Sequence, residues 1–236
     1  MKTTITLLIV TLFSLGSQAQ NPIGAWESFS TSESGDKLKN VVIIADGYQV
    51  MTTYNATTGK FISTNGGSWQ LDGDMVTGKA EFDTANPELV GKEIKFKVKI
   101  SDNNIEIVNS GMKFQRIDSG TPGKLQGAWL MSGRIRDGKT ELRNTSGPRK
   151  TMKILSGTRF QWIAYNTETK QFMGTGGGTY TTINGEYTEN IEFFSRDDSK
   201  AGLSLKFNYE LIDGNWHHSG LSSKGDPIHE IWSLRE

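Results

Sequence analysis

The sequence predicts an all-β protein built from two tandem, small, antiparallel up-and-down β-barrels of about eight strands each. Three observations carry that prediction. Short stretches alternate between apolar and polar residues, glycine-containing turn signals separate them, and the chain repeats itself once along its length. No convincing amphipathic helix interrupts this pattern, and only residues 136–148 are too irregular to assign.

The first segment stands apart. Met1–Ala19 reads MKTTITLLIVTLFSLGSQA, with a lysine, an apolar run at Ile5–Leu15, and Ser17 and Ala19 at cleavage spacing. This is the pattern of a secretory signal peptide. The apolar run is too short to span a bilayer. No cysteine follows it, so a lipid anchor on an N-terminal cysteine is not expected, and no later stretch is apolar enough to span a membrane. The expected product is a soluble exported protein, periplasmic or extracellular.

Composition narrows the chemistry. The absence of cysteine excludes disulfide scaffolds, thiolate zinc sites and thiol enzymes. Lysine plus arginine equals aspartate plus glutamate at 26 each, so no net basic field draws nucleic acid.

The repeat is read from collinear matches. Gly24-Ala25-Trp26 recurs as Gly127-Ala128-Trp129, and Tyr54-Asn55 as Tyr165-Asn166. KFISTNGGSW at 60–69 matches QFMGTGGGTY at 171–180, and Glu81-Phe82 matches Glu192-Phe193. From Tyr54 onward the copies lie about 111 residues apart. The expected organisation is a leader over 1–19, a first barrel over 20–117, a Ser/Gly/Pro-containing linker over 118–124 and a second barrel over 125–236.

Strands are expected in the second repeat at 127–134, 151–156, 159–166, 172–182, 186–195, 202–211, 215–221 and 228–235. Asn184-Gly185 and Asp213-Gly214 are hairpin turns, because these residues tolerate positive φ. In LSLKFNYEL, Leu205, Phe207 and Tyr209 share one face, and Lys206, Asn208 and Glu210 the other. Closing eight such strands into a barrel removes the exposed edges they would otherwise present. A sandwich of the same strands is the alternative.

The G-x-W that opens a first strand, with an arginine near the end of the last, resembles the lipocalin-like (calycin) superfamily. The pairs are Trp26 with Arg116 and Trp129 with Arg235. The resemblance implies a tryptophan closing each barrel base with an arginine across its face. GGGTYTTINGEYTENIEF, NWHHSG and EIWSLR also resemble secreted bacterial lipocalin-like proteins of unknown function. The superfamily implies a ligand cavity, not its occupant. Arg235 departs from the pattern, since its strand parity is opposite to that of Trp232.

Hairpin register orients the three histidines. A two-residue turn at Asp213-Gly214 pairs Leu211 with Trp216 and Tyr209 with His218, which points His218 inward and His217 outward beside Glu210. Pairing Trp216 with Trp232 then pairs His218 with Glu230 and turns His229 outward. The Asn184-Gly185 turn pairs Thr182 with Tyr187 and Tyr180 with Glu189, so Glu189 faces inward. Repeat one serves as an internal control. There Val98, Ile105, Ile107 and Met112 replace Tyr209, Trp216, His218 and Glu230, while Trp69, Met75 and Thr77 stand at Tyr180, Tyr187 and Glu189. A largely filled apolar interior is therefore expected in the first barrel, and a polar, liganded or reactive one in the second.

The resulting expectation is an exported binding protein for a small apolar or amphipathic molecule. Tyr180, Tyr187, Glu189, Tyr209, His218 and Glu230 would hold the polar end of the ligand, and Trp162, Trp216 and Trp232 its apolar body. No cofactor, metal site or catalytic residue is assigned. GTGGGTY lies in a strand with no helix after it, so its glycines read as a bend rather than a phosphate loop. Two alternatives remain: an enzyme using Glu189 or Glu230 with His218, and a structural or interaction module of the cell envelope.

Overall fold

A computed structural model describes residues 21–121 and 123–235. The predicted leader lies outside the described residues. The first eight strands are β1 (Gly24–Thr31), β2 (Lys37–Ile44), β3 (Tyr48–Asn55), β4 (Phe61–Asp72), β5 (Met75–Asp83), β6 (Glu93–Ile100), β7 (Asn104–Ile107) and β8 (Met112–Asp118). They form a closed antiparallel barrel in which β8 returns to β1 and Arg116 sits opposite Trp26.

The second half contains β9 (Gly127–Arg136), β10 (Lys139–Leu142), β11 (Arg149–Leu155), β12 (Arg159–Asn166), β13 (Phe172–Ile183), β14 (Glu186–Phe194), β15 (Ser204–Ile212), β16 (Asn215–Leu221) and β17 (Pro227–Leu234). β17 pairs back onto β9 and closes this sheet too. The fold is thus two closed up-and-down barrels in tandem, not a sandwich.

The turn chemistry fixes the register. Asn184, Gly185, Asp213 and Gly214 all take positive φ, as a tight hairpin turn requires. The pairs Tyr180↔Glu189, Thr182↔Tyr187, Tyr209↔His218, Leu211↔Trp216, Trp216↔Trp232 and His218↔Glu230 follow.

Residues 136–148 hide a strand that periodicity does not reveal. Asp137-Gly138 makes a positive-φ turn, and β10 folds back on the far end of β9. Trp26 to Tyr54 spans 28 positions, whereas Trp129 to Tyr165 spans 36. The insertion splits the counterpart of β2 into β10 and β11, which pair with separate halves of β9.

The two barrels pack through the outer faces of their walls. Val41, Ile43, Val50, Tyr54 and Phe82 from the first form one buried cluster with Leu130, Met152, Ile154, Ile163, Tyr165 and Phe193 from the second. The contacts come in symmetric pairs. Tyr54 stacks on Phe193 with ring centroids 4.9 Å apart, and Tyr165 packs against Phe82 at 4.8 Å. The Tyr54 hydroxyl donates to Glu192, and the Tyr165 hydroxyl donates to Glu81. Gln161 donates from its amide to both Thr64 and Thr175, each at 3.0 Å. Since Tyr54/Tyr165, Thr64/Thr175, Glu81/Glu192 and Phe82/Phe193 are repeat equivalents, the interface has quasi-two-fold symmetry.

The glycine motif serves this geometry. At Gly67 and Gly178 a Cβ would come within 2.0 Å of the carbonyl oxygens of Lys79 and Asn190. Both glycines sit at register shifts, where β4 meets β5 and β13 meets β14. They are bends, as the sequence suggests.

Candidate functional site

Inward-facing side chains of β11 to β17 converge inside the second barrel. The residues expected to line a site there do come together, but as a packed core. Tyr180, Tyr187, Trp216 and Trp232 belong to one buried cluster, with Trp162 and Tyr209 packed against it. Tyr187 meets Trp216 edge-on at 5.1 Å and His218 at 5.6 Å, and Phe207 lies 4.1 Å from His218. Tyr180 is turned aside, its hydroxyl donating to the Ser156 carbonyl at 2.6 Å. The expected ligand cavity of the second barrel is therefore filled by the barrel's own side chains.

The centre of that core is a residue the sequence reading passed over. Lys153 on β11 is buried, and its ammonium lies 2.8 Å from Glu189 Oε1. Four rings surround the ammonium at 5.0–5.9 Å: Trp216, Trp232, Tyr187 and Phe207. An enclosed cation persists when a carboxylate and aromatic faces replace its water. The available signal was a lone lysine in TMKIL, where Met152 and Ile154 point outward into the inter-barrel cluster. That leaves Lys153 pointing inward.

His218 and Glu230 pair as the register predicts, with Nδ1 3.2 Å from Oε2. Trp232 donates from its indole nitrogen to the same oxygen at 3.2 Å. Burial, then the charge of Lys153, pushes the His218 pKa below its ordinary value, and the two carboxylates only partly oppose them. Burial would raise the Glu230 pKa, but His218, Lys153 and Trp232 together hold it below the usual carboxylate value. His218 is 2% exposed, so its ring nitrogens are enclosed. His217 and His229 turn outward and lie 3.3 Å apart, nitrogen to nitrogen. Among the described residues, no group of three or more His, Cys, Asp or Glu is arranged to hold a metal.

The barrel-closing pairs divide. Arg116 covers Trp26 with its guanidinium 3.9 Å from the ring centroid. It also donates to the carbonyls of Ile23 and Asn21 at 3.0 and 2.8 Å. Trp26 and Trp129 are anchored alike, their indole nitrogens donating to the carbonyls of Pro22 and Leu125, each at 2.9 Å. Arg235 does not close the second barrel. It crosses to the first, pairs with Glu81 at 2.7 Å and stacks 4.0 Å over Tyr48. Its strand parity, opposite to that of Trp232, directs it outward.

The open interior belongs to the first barrel, opposite to expectation. A cavity of about 230 Å³ lies there, walled by Val42, Val76, Val98, Ile105, Ile107 and Phe114. The cross-strand pairs explain the exchange. Trp69↔Gly78 and Leu71↔Val76 occupy the register of Tyr180↔Glu189 and Thr182↔Tyr187. The counterparts of Tyr187 and Glu189 are thus Val76 and Gly78, not Met75 and Thr77. Val42 stands where Lys153 stands, and Ile105 where Trp216 stands. Tyr187, Glu189, Tyr209, Trp216 and Lys153 thus have the smaller Val76, Gly78, Val98, Ile105 and Val42 as partners, and the missing volume is the cavity. Gln49 and Asn65 add amide groups to its wall.

Two closed up-and-down barrels, each with an anchored tryptophan at its base, define a lipocalin-like tandem architecture. The family model described as "Domain of unknown function (DUF4488)" matches residues 124–234, the second barrel. The chain is also similar to the crystal structure of the Cpx pathway activator NlpE from Escherichia coli. The identity is 12%, the match covers 91% of this chain and 93% of that one, and the TM-score is 0.27. Nothing about this chain's function follows from a likeness at that score. No curated protein matches. Among the described residues, no helix is long and apolar enough to cross a membrane.

Proposed function

We propose that this protein is an exported carrier or sensor of a small apolar or amphipathic molecule, bound in the first barrel. One observation carries the reading: an apolar cavity of about 230 Å³ inside a closed barrel. It is larger than the roughly 150 Å³ apolar cavity that stays dry and takes up benzene in an engineered protein. Gln49 and Asn65 offer hydrogen bonds to a polar end, the usual division of labour in a ligand pocket. The second barrel, with a solid core, acts as the rigid body against which the first is built. The alternative of Glu/His chemistry needs an accessible pocket beside His218, and Phe207, Tyr187 and Trp216 occupy that space.

The test borrows the filling residues of the second barrel. Val98→Tyr with Ile105→Trp should close the cavity while keeping the fold. Native mass spectrometry of wild type titrated with straight-chain fatty acids, and of protein purified from its host, should show bound mass that the filled variant lacks. A wild type that carries and takes up nothing, or a filled variant that binds equally well, overturns the proposal.

A further inference from the structure

The insertion that splits the second strand of the second barrel does more than lengthen a loop. Between Arg134 and Lys150 the chain carries six cations and two carboxylates, although the whole chain is neutral. One of those carboxylates, Glu141, is already paired with Arg134. At the break between β10 and β11 lies a pocket of about 300 Å³, with Leu130 and Met131 on its apolar side. Arg143, Arg149, Lys150, Asn144, Thr145 and Thr151 form the rest of its wall, so among the described residues no carboxylate lines it.

The loop that forms this wall is tied down. The Arg143 amide donates to the Ser132 carbonyl at 2.8 Å, and the Thr167 amide to the Pro148 carbonyl at 3.0 Å. Lys150 donates from its ammonium to the Thr145 carbonyl. Asn144 accepts from the Ser146 amide and hydroxyl at 2.8 and 2.7 Å, which leaves its NH₂ group to donate elsewhere. Among the described residues, the Arg143 guanidinium meets only the Met131 sulfur, at 3.2 Å, a weak acceptor. Among the described residues, Arg143, Arg149 and Lys150 make no ion pair. Glu81, the carboxylate that Lys150 senses at longer range, is already held by Arg235.

Three cations held around one concavity repel one another, and an ion of opposite charge relieves that cost. Two guanidinium forks, an ammonium, two hydroxyls and an amide suit an acceptor with several charged oxygens better than a single carboxylate. We propose that this break in the barrel wall binds a phosphate group, carried either by a small soluble phosphate compound or by a phospholipid headgroup. The first barrel has no such site, because Thr31 and Lys37 are joined by a short turn and β2 is continuous.

The experiment uses the whole purified protein at low ionic strength. Calorimetric titration with inorganic phosphate and glycerol phosphate forms one arm, and co-sedimentation with phosphatidylglycerol vesicles the other. Arg143→Ala with Arg149→Ala is compared with Arg136→Ala with Lys139→Ala, which removes the same charge from the same hairpin outside the pocket. Binding should weaken by roughly tenfold or more in the first variant, much less in the second, and should fall with added salt. Binding of the soluble compounds assigns that source; binding of vesicles alone assigns the headgroup. A wild type that binds neither, or equal losses in the two variants, overturns the site. Thermal melts confirm that both variants are folded.

Discussion

Phe61 and Phe172, equivalent positions of the two repeats, stack on each other with ring centroids 5.9 Å apart and planes inclined by 10°. Equivalent residues touch in this way only on a symmetry axis, so this pair marks the quasi-dyad between the barrels. The recurring sequence matches take on a structural meaning from it. Tyr54/Tyr165, Phe61/Phe172, Thr64/Thr175 and Glu81-Phe82/Glu192-Phe193 face the partner barrel and recur because both copies build the same interface.

The first prediction concerns that interface. Tyr54→Phe and Tyr165→Phe each remove a hydrogen bond to a carboxylate, and each should cost about 1.5–3 kcal/mol. Equilibrium urea unfolding checks this. Wild type should unfold in one transition reported alike by probes in either barrel, and Tyr54→Phe with Tyr165→Phe should begin to separate the two. No loss of stability in either single variant would contradict the assigned bonds.

The second concerns the buried ion pair. Lys153→Met leaves the Glu189 carboxylate without its cation inside the barrel, and should cost about 3–5 kcal/mol. Adding Glu189→Leu should recover much of that loss, since two apolar residues remove both desolvation costs. Denaturant titration of the singles and the double closes a mutant cycle, and an additive double would contradict the pairing.

The third concerns pH. His218 has a lowered pKa in the folded state, so the unfolded chain binds its proton more readily. Its contribution is present above the unfolded pKa of about 6.5 and is lost as pH falls through and below that value. Wild type should therefore lose stability between about pH 6.5 and 5 faster than His218→Gln. Melting temperatures across that window check the slope, with His217→Gln as the surface control.

The fourth concerns Asp118, the last residue of the first barrel. Its carboxylate accepts from the Gly120, Gly157 and Thr158 amides at 2.9, 3.2 and 3.0 Å, and from the hydroxyls of Ser156 and Thr158. Burial would raise its pKa, but these donors hold it below the ordinary value. Asp118→Ala strands several donors of the second barrel and should cost about 2–4 kcal/mol by chemical denaturation. Asp118→Asn should recover part of the loss.

Much of this architecture was legible because hairpin turns count residues. Asn184-Gly185 and Asp213-Gly214 fixed which side chains face inward, and His218, Glu230 and Glu189 lie where that counting puts them. The same counting slips in the first repeat, where the turn is Gly73-Asp74 without an Asn-Gly signature, so Met75 and Thr77 stand one residue off Val76 and Gly78, the true counterparts of Tyr187 and Glu189. The location of the cavity was not legible for a different reason. Direction follows from parity, but fullness depends on the summed volume of residues from eight strands. Lys153, at the second barrel's centre, has no sequence neighbour that announces its partner, because Glu189 lies 36 positions away on another strand. Arg235 was misplaced because its partner, Glu81, belongs to the other barrel.

The link at residues 119–126 has a consequence for what each barrel is free to become. Two separate chains meeting on a true dyad must carry the same interior, since one gene encodes both. Joining the copies makes their association intramolecular, at an effective concentration of the order of millimolar. It also lets each drift alone behind a shared face. One half could invest its interior in rigidity while the other gave up side-chain volume and became hollow. The division of labour inside this molecule is a freedom that its covalent tether confers.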